Sequence, residues 1–321
     1  MKKNVLKLSL TCLLLVFALV CNGKNNSLNA KKYTIEYKFA KGDSFKLNMQ
    51  IDMMSNLEFM DTEMSITSEM IFNTDYNITD VKDNLYTMML QFPKVSMSLN
   101  FNNELMKSFD SETDKDLATM EDMSPMLKAM TKVPITIIVD RKGKVQSVSG
   151  YDKLREEVIN SFDPDAPEMA KQQLLAMLNQ MITDKSMKNI LDNVSGFPDR
   201  AVAIGESWDA NMNVSHVGLA TNFETTMDVT RKMTLDSVAG NVATISCKGT
   251  ISVPTSIAQG APNGQDIAVS LSGTQDSYVQ IDIRTGAPMG GKITQKYEGT
   301  SGVGEMQMPM TITSVTTITN K

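Results

Sequence analysis

Histidine and tryptophan occur once each in this chain of 321 residues, and cysteine three times. A single histidine, His216, excludes a multi-histidine metal centre, and base catalysis by it would need an orienting partner that no motif supplies. It shares a row with Met212 and Val214 and reads as a structural residue. No glycine-rich phosphate loop, nucleophile elbow or zinc-type Cys/His spacing is present, so nothing in the sequence marks an enzyme or calls for a cofactor. Of the cysteines, only Cys247 lies in the body of the chain, in the row of Ile245, Ile251 and Val253, where it reads as an inert buried thiol with no partner for an intramolecular disulfide. Apolar runs long enough to span a bilayer as a helix are missing too. The N-terminal run Leu8–Val20 stops at 13 residues.

That run has another use. Lys2, Lys3 and Lys7 precede it, which gives residues 1–23 the charged and apolar regions of a signal peptide and implies export. Two processing routes stay open. Cleavage after Gly23 puts Cys21 and Gly23 at the −3 and −1 positions of a conventional signal peptidase site, whereas Ala18-Leu19-Val20-Cys21 resembles a lipobox that would make Cys21 a lipidated N-terminus. The expected location is therefore the periplasm, with outer-membrane anchoring if Cys21 is acylated.

The chain carries 31 basic and 37 acidic residues, and removing residues 1–23 takes three lysines and no acid, which leaves 28 against 37, or −9. An acidic chain argues against nucleic acid as a partner. What the sequence has in excess is methionine, 26 residues against 11 Phe and 7 Tyr. A core filled by unbranched thioethers adapts to irregular gaps and to variable apolar partners.

Residues 24–32 form a polar tether, and strands follow. Tyr33 to Phe39 alternates, Gly42-Asp43 turns the chain, and Met64, Ile66, Met70, Phe72, Tyr76 and Ile78 fall on one face opposite Glu63, Ser65, Glu69, Asn73 and Asp75. Such a period of two predicts a long antiparallel strand with one wet face. Val81-Lys82-Asp83-Asn84 turns into a returning strand in which Pro93 marks an edge or bulge. The pattern breaks in residues 102–131, an acidic loop followed by Met120, Met123, Leu127 and Met130 at helical spacing. Asp110, Glu112, Asp114, Asp116 and Glu121 fit a calcium-loop register, but Lys115 stands where that loop needs glycine, so the segment reads as solvated acidic surface. A hairpin around Asp140-Arg141-Lys142-Gly143 closes the first sheet half, residues 33–150. Residues 151–198 read as a helical tract broken by Pro164 and Pro167, and 199–321 as a second sheet half with a mobile loop at 254–265.

The second half echoes the first. Gly205-Glu206-Ser207-Trp208 answers Gly42-Asp43-Ser44-Phe45, the strand at 222–236 answers 64–78, and Asp282 to Gly286 answers Asp140 to Gly143. Tyr33, Tyr37, Phe39, Gly42 and Asp43, the Phe109-Asp110-Ser111 element, the Asp140 to Val148 hairpin and Gly205 to Trp208 together resemble an uncharacterised family of secreted Bacteroidetes proteins, domain of unknown function 6263. That resemblance implies an address and a sheet architecture and names no activity. More loosely, long strands with helices laid on one face are similar to the half-barrels of lipoprotein carriers, which implies a side that holds acyl chains.

The expected fold is α+β, mainly β: a large curved antiparallel sheet with a helical tract on its apolar face. The expected function is non-enzymatic binding of an apolar small molecule or acyl chain, in a cavity lined by Met70, Phe72, Met177, Met181, Met227, Arg231 and Met233. Arg231 interrupts an apolar row, so it either meets a carboxylate or acidic ligand head or snorkels out at a strand end. The alternatives are an envelope structural or protein-interaction module and, more distantly, copper binding by the thioethers of Met306, Met308 and Met310.

Overall fold

Alternation over 15 to 20 residues leaves each long segment one dry face, which it can bury only by joining others edge to edge. In the computed structural model, which describes residues 30–59, 62–113, 124–160, 196–217, 224–258, 267–303 and 306–321, they do so. In chain order the strands are β1 (Lys32–Tyr33), β2 (Ser44–Phe59), β3 (Thr62–Lys82), β4 (Leu85–Phe101), β5 (Glu104–Asp110), β6 (Ile135–Asp140), β7 (Val145–Ser149) and β8 (Val202–Ala203). They continue as β9 (Ser207–Asp209), β10 (Met212–Val217), β11 (Glu224–Ala239), β12 (Val242–Ala258), β13 (Ile267–Asp282), β14 (Pro288–Val303) and β15 (Met306–Asn320). Among the described residues two helices, α1 (Ser124–Lys132) and α2 (Tyr151–Asn160), follow β5 and β7 respectively.

Thirteen strands form one antiparallel sheet in the order β10-β11-β12-β13-β14-β15-β2-β3-β4-β6-β7, with β5 added to β4 and β9 to β11. The sheet is curved and is not closed into a barrel. Its seam is the pairing of the last strand with the first long one, from Met310 opposite Leu57 to Asn320 opposite Leu47. The helices lie on the apolar face of the first half, where Leu127 and Ala129 of α1 and Leu154 and Val158 of α2 are buried. Ala129, Leu154 and Val158 pack in one cluster with Ile78, Tyr86, Met88 and Leu90.

Both halves are built on the same hydrogen bonds. Gly42 N–H donates to Ile78 O and Ile78 N–H to Asp43 O, while Gly205 N–H donates to Leu235 O and Leu235 N–H to Glu206 O, all between 2.7 and 3.1 Å. Each acidic side chain caps its own turn: Asp43 accepts Ala40 N–H at 2.7 Å and Glu206 accepts Ala203 N–H at 2.8 Å. Gly42 and Gly205 have φ of 94° and 83°, a region that favours glycine, which explains the residue at both places. The register then runs in parallel. Ile78 faces Met88 and a bulge precedes Asp80 opposite Thr87; Leu235 faces Ile245 and a bulge precedes Ser237 opposite Thr244. A second bulge, at Ile138/Val139 in one half, recurs at Gln280/Ile281 in the other. Shared bulges are a stronger sign of a common plan than shared residues, because bulges are placed features of a sheet.

The halves meet at the segment before β2. Ile35 is fully buried in the cluster of Val202, Leu235, Ala243, Ile245 and Ile281, whereas Phe39, four residues on, belongs to that of Ile78, Tyr86 and Val139. Between them the strap is pinned to the matching hairpin turn of each half: Tyr37 N–H donates to Arg141 O at 2.8 Å and Lys38 N–H to Thr285 O at 2.9 Å. Glu36, 8% exposed, takes Arg141 at 2.5 Å, with Lys142 at 3.9 Å and Lys38 at 4.0 Å. The Tyr37 ring packs on Phe39 and Phe197, and burial pushes its phenol well above the ordinary range.

Three sequence expectations are corrected here. Tyr33 to Phe39 is not a strand beyond Tyr33: its alternation buries residues in two different cores instead of on one sheet face. Residues 102 and 103 are a turn with φ of 48° and 68°, and the chain returns as β5, so the interruption begins later than the composition indicated. Residues 254–258, read as loop, continue β12, because Pro254 falls in a bulge between Val253 and Ser256 where its missing N–H costs no ladder bond. Pro93 sits likewise opposite a register shift at Asn73/Asp75, as expected.

Two measurements test the strap. A Cβ at Gly286 (φ 79°) would lie 2.5 Å from Glu36 O, whereas one at Gly42 meets nothing within 4 Å. Urea unfolding should therefore show Gly286→Ala costing about 2 kcal/mol or more and Gly42→Ala about 1 kcal/mol, and equal costs would count against the close approach. A double-mutant cycle on Glu36→Gln and Arg141→Met should return a coupling of about 1–2 kcal/mol, below that of a fully buried pair because Arg141 is 43% exposed. A coupling near zero would remove the ion pair from the account.

Candidate ligand-binding face

In β2, β3, β4, β12, β13, β14 and β15 the cross-strand register puts every charged residue on one face of the sheet. The opposite face carries Leu47, Met49, Ile51, Met53, Ser55 and Leu57 on β2 alone, and its rows continue through Ile66, Met70 and Phe72 of β3 and Ile312 and Ile318 of β15. This face is only partly filled by the buried clusters. Met49, Ile51, Leu57, Met64, Ile66 and Met70 are half-buried, and Met53 is 37% exposed.

One row across this face is polar. Arg231 of β11 faces Gly249, which faces Gln275, then Gln295, Ser314, Met53, Ser68 and Leu99 in turn. Gln295 Nε2 donates to Gln275 Oε1 at 3.2 Å, and Gln275 Nε2 donates to Ser277 Oγ at 3.3 Å and approaches Cys247 Sγ at 3.7 Å. The Cys247 thiol is buried, and burial raises its pKa, which keeps it protonated and unreactive. Arg231 does not snorkel out. It is 9% exposed, its Nε donates to Ala210 O at 2.9 Å, and desolvation lowers its pKa. Gly249 opposite makes the room, since a Cβ there would sit 3.2 Å from Arg231 Cγ and 2.6 Å from Thr230 O.

The residues expected to line one cavity share a face without converging. Met70 and Phe72 are on β3, while Met227, Arg231 and Met233 are on β11, six strand steps away, or about 29 Å measured along the sheet. Phe72 packs with Val95, Phe109 and Leu127, Met233 with Leu235 and Ile245, and Met227 with Val229 and Ile251. Met177, Met181 and Cys21 lie outside the described residues. Sequence reasoning missed Ser55, Ser68, Gln275 and Gln295, although each occupies an apolar-phase position of its strand, the same signal that picked out Arg231.

Elsewhere the polar groups are engaged with one another. Asp110 and Glu112, the first two residues of the calcium-loop register, both bind Lys94, at 3.0 and 2.7 Å. The Asp110 carboxyl is held below its usual range first by the Glu112 N–H and then by Lys94. Asp114, Asp116 and Glu121 lie outside the described residues, among which no cluster of three metal-binding His, Cys, Asp or Glu side chains occurs. Trp208 is half-buried, opposite Met233, with Nε1 donating to Gly196 O at 2.6 Å. His216 is on β10 opposite Thr225. Met306, Met308 and Met310 alternate along β15 opposite Val303, Ser301 and Gly299. On the charged face two open depressions, of about 380 and 600 Å³, lie over Asp52, Thr67 and Glu69 and over Glu58, Glu63 and Glu298.

No curated protein matches the chain. Among solved structures it is similar to an outer membrane channel from Pseudomonas putida F1, with 6% identity and a TM-score of 0.23 over 89% of this chain and 97% of that one. It is similar also to the Pseudomonas aeruginosa proteins OccK2 (6% identity, TM-score 0.21, 87% and 98% covered) and OccK9 (6%, 0.23, 87% and 99%). At such TM-scores these likenesses carry no argument. A family model described as a family of unknown function, DUF6263, matches residues 83–288, from the β3–β4 turn to the first residue of β14, and the chain belongs to that family.

Proposed function

We propose that this protein is an exported, non-enzymatic binding or carrier protein whose ligand is lipid-like or otherwise apolar and lies on the charge-free face of the sheet. The observation that carries the reading is the segregation of charge. Seven adjacent long strands send every Asp, Glu, Lys and Arg to one side and leave the other to Met, Ile, Leu and neutral polar residues, several of them half-buried. A face so dry and so rich in thioethers suits a deformable apolar ligand. The N-terminal Lys2, Lys3, Lys7 and Leu8–Val20 pattern supports an envelope address.

A second reading, a protein-interaction module, has its own support. Among the described residues, edge strand β5 pairs only with β4, and it presents Leu105 and Met106 at 63% and 62% exposure, a feature that edge strands ordinarily avoid.

Mass spectrometry of organic extracts of the purified protein should find a co-purifying apolar compound at near-stoichiometric level. A ligand-free protein that also excludes added detergent-like probes would end the carrier reading. Separately, radiolabelled palmitate should reach Cys21 if the lipobox is used, and label that survives Cys21→Ala would dismiss that anchor.

A further inference from the structure

Two hydroxyls on the apolar face are out of place. Ser55 and Ser68 are 8% and 7% exposed, and neither Oγ has a hydrogen-bond partner among the described residues. A buried hydroxyl left unpaired is destabilising, and a native structure seldom keeps one without use. Here there are two, close together: Ser55 faces Ile66 and Ser68 faces Met53, so they are diagonal neighbours on adjacent strands, about 7–8 Å apart. Both side chains stand on the charge-free face among Met53, Met64, Ile66, Met70, Leu99 and Ile312, and Ser314, diagonal to Ser55, makes no hydrogen bond to either Oγ.

Alanine at either position would spare the unpaired hydroxyl at no cost to strand pairing. The hydroxyls are therefore explained best by a partner that arrives with its own hydrogen-bonding atoms. That partner is neutral, because the register places no charged side chain on this face anywhere from β12 to β4, and a buried ion without a counter-charge is strongly disfavoured. It is also largely apolar, since apart from Ser314 the neighbours of the two serines are methionine, isoleucine and leucine.

We propose that Ser55 and Ser68 form a binding subsite for the ester, amide or hydroxyl group of a neutral acyl amphiphile, whose chain lies along the methionine rows of β2 and β3. The inference rests on the apolar-ligand reading above and specifies its ligand class. Serine suits the task because its hydroxyl both donates and accepts, so one pair can take a carbonyl and a free hydroxyl of the same ligand.

The test uses the full protein, Nile red as a reporter of the apolar face, and three competitors of matched chain length: monoolein, oleate and octadecane. Wild type should bind the dye and release it to monoolein at about tenfold lower concentration than to either other competitor, while Ser55→Ala/Ser68→Ala keeps dye binding and loses that preference. The ligand-free double variant should melt at the same temperature as wild type or higher, since it loses two unpaired hydroxyls. Unchanged monoolein preference in the double variant, a preference for oleate or octadecane, or a clear fall in melting temperature would each overturn the subsite while leaving the carrier reading in place. Failure of wild type to bind dye would overturn the carrier reading and the subsite together.

Discussion

The buried carboxylate of Glu36 is the point on which the two sheet halves agree. Taking a carboxylate out of water is expensive unless cations and geometry compensate, and here Arg141 and Lys142 come from the hairpin of the first half while Lys38 comes from the strap itself. The flanking backbone is bonded to both hairpins, and Gly286 of the second half approaches Glu36 O so closely that no side chain fits. With Ile35 in one core and Phe39 in the other, the strap cannot shift by a residue without exposing apolar surface on one side and burying a charge on the other. The repeated turns at Gly42 and Gly205, whose hydrogen bonds match one for one, are thereby locked in a single relative arrangement.

From this lock the sheet extends with its charges on one side. A period of two leaves no latitude: each strand joined in register must carry its acidic and basic residues to the face its neighbour uses. The outcome is a wide charge-free surface, covered by α1 and α2 over the first half, with neutral polar residues set into it, among them the transverse row from Gln275 to Ser68 and, beside that row, Ser55. That row separates the molecule's chemistry from its architecture. The buried clusters at the Gly42 and Gly205 ends are packed from apolar residues, whereas Ser55, Ser68, Gln275 and Gln295 bring polar atoms onto the charge-free face.

The strand plan was legible because its signals are local. Met64 to Ile78 alternates with only Ser68 and Thr74 as polar residues in the apolar phase, Asp83-Asn84 and Gly240 supply the positive φ of tight turns, and the doubled glycine-acid-serine-aromatic device marks both openings. What escaped was decided by partners far along the chain. Tyr33 to Phe39 alternates as a strand does, yet its alternate residues enter separate cores. Pro254 reads as a strand breaker until a bulge is seen to absorb it. The site was harder still, since Met70 and Met233 look alike in sequence and only the order of strands places them six strands apart on the same face of a broad sheet. Side chains outside the described residues, Met177 and Met181 among them, add nothing to that comparison.

The seam between β15 and β2 bears on how such a chain reaches its fold. Leu57 pairs with Met310, so the centre of the sheet joins the first long strand made to the last, and the intervening chain must exist before the pair can form. Contacts of such sequence separation are slow to form, and during synthesis from the N-terminus β2 waits with one edge bare and its methionine face open. The nascent first half is thus obliged to find temporary cover, which makes the interval before the C-terminal strand arrives the period in which the protein is most exposed to misassembly and most dependent on helpers that hold apolar surface.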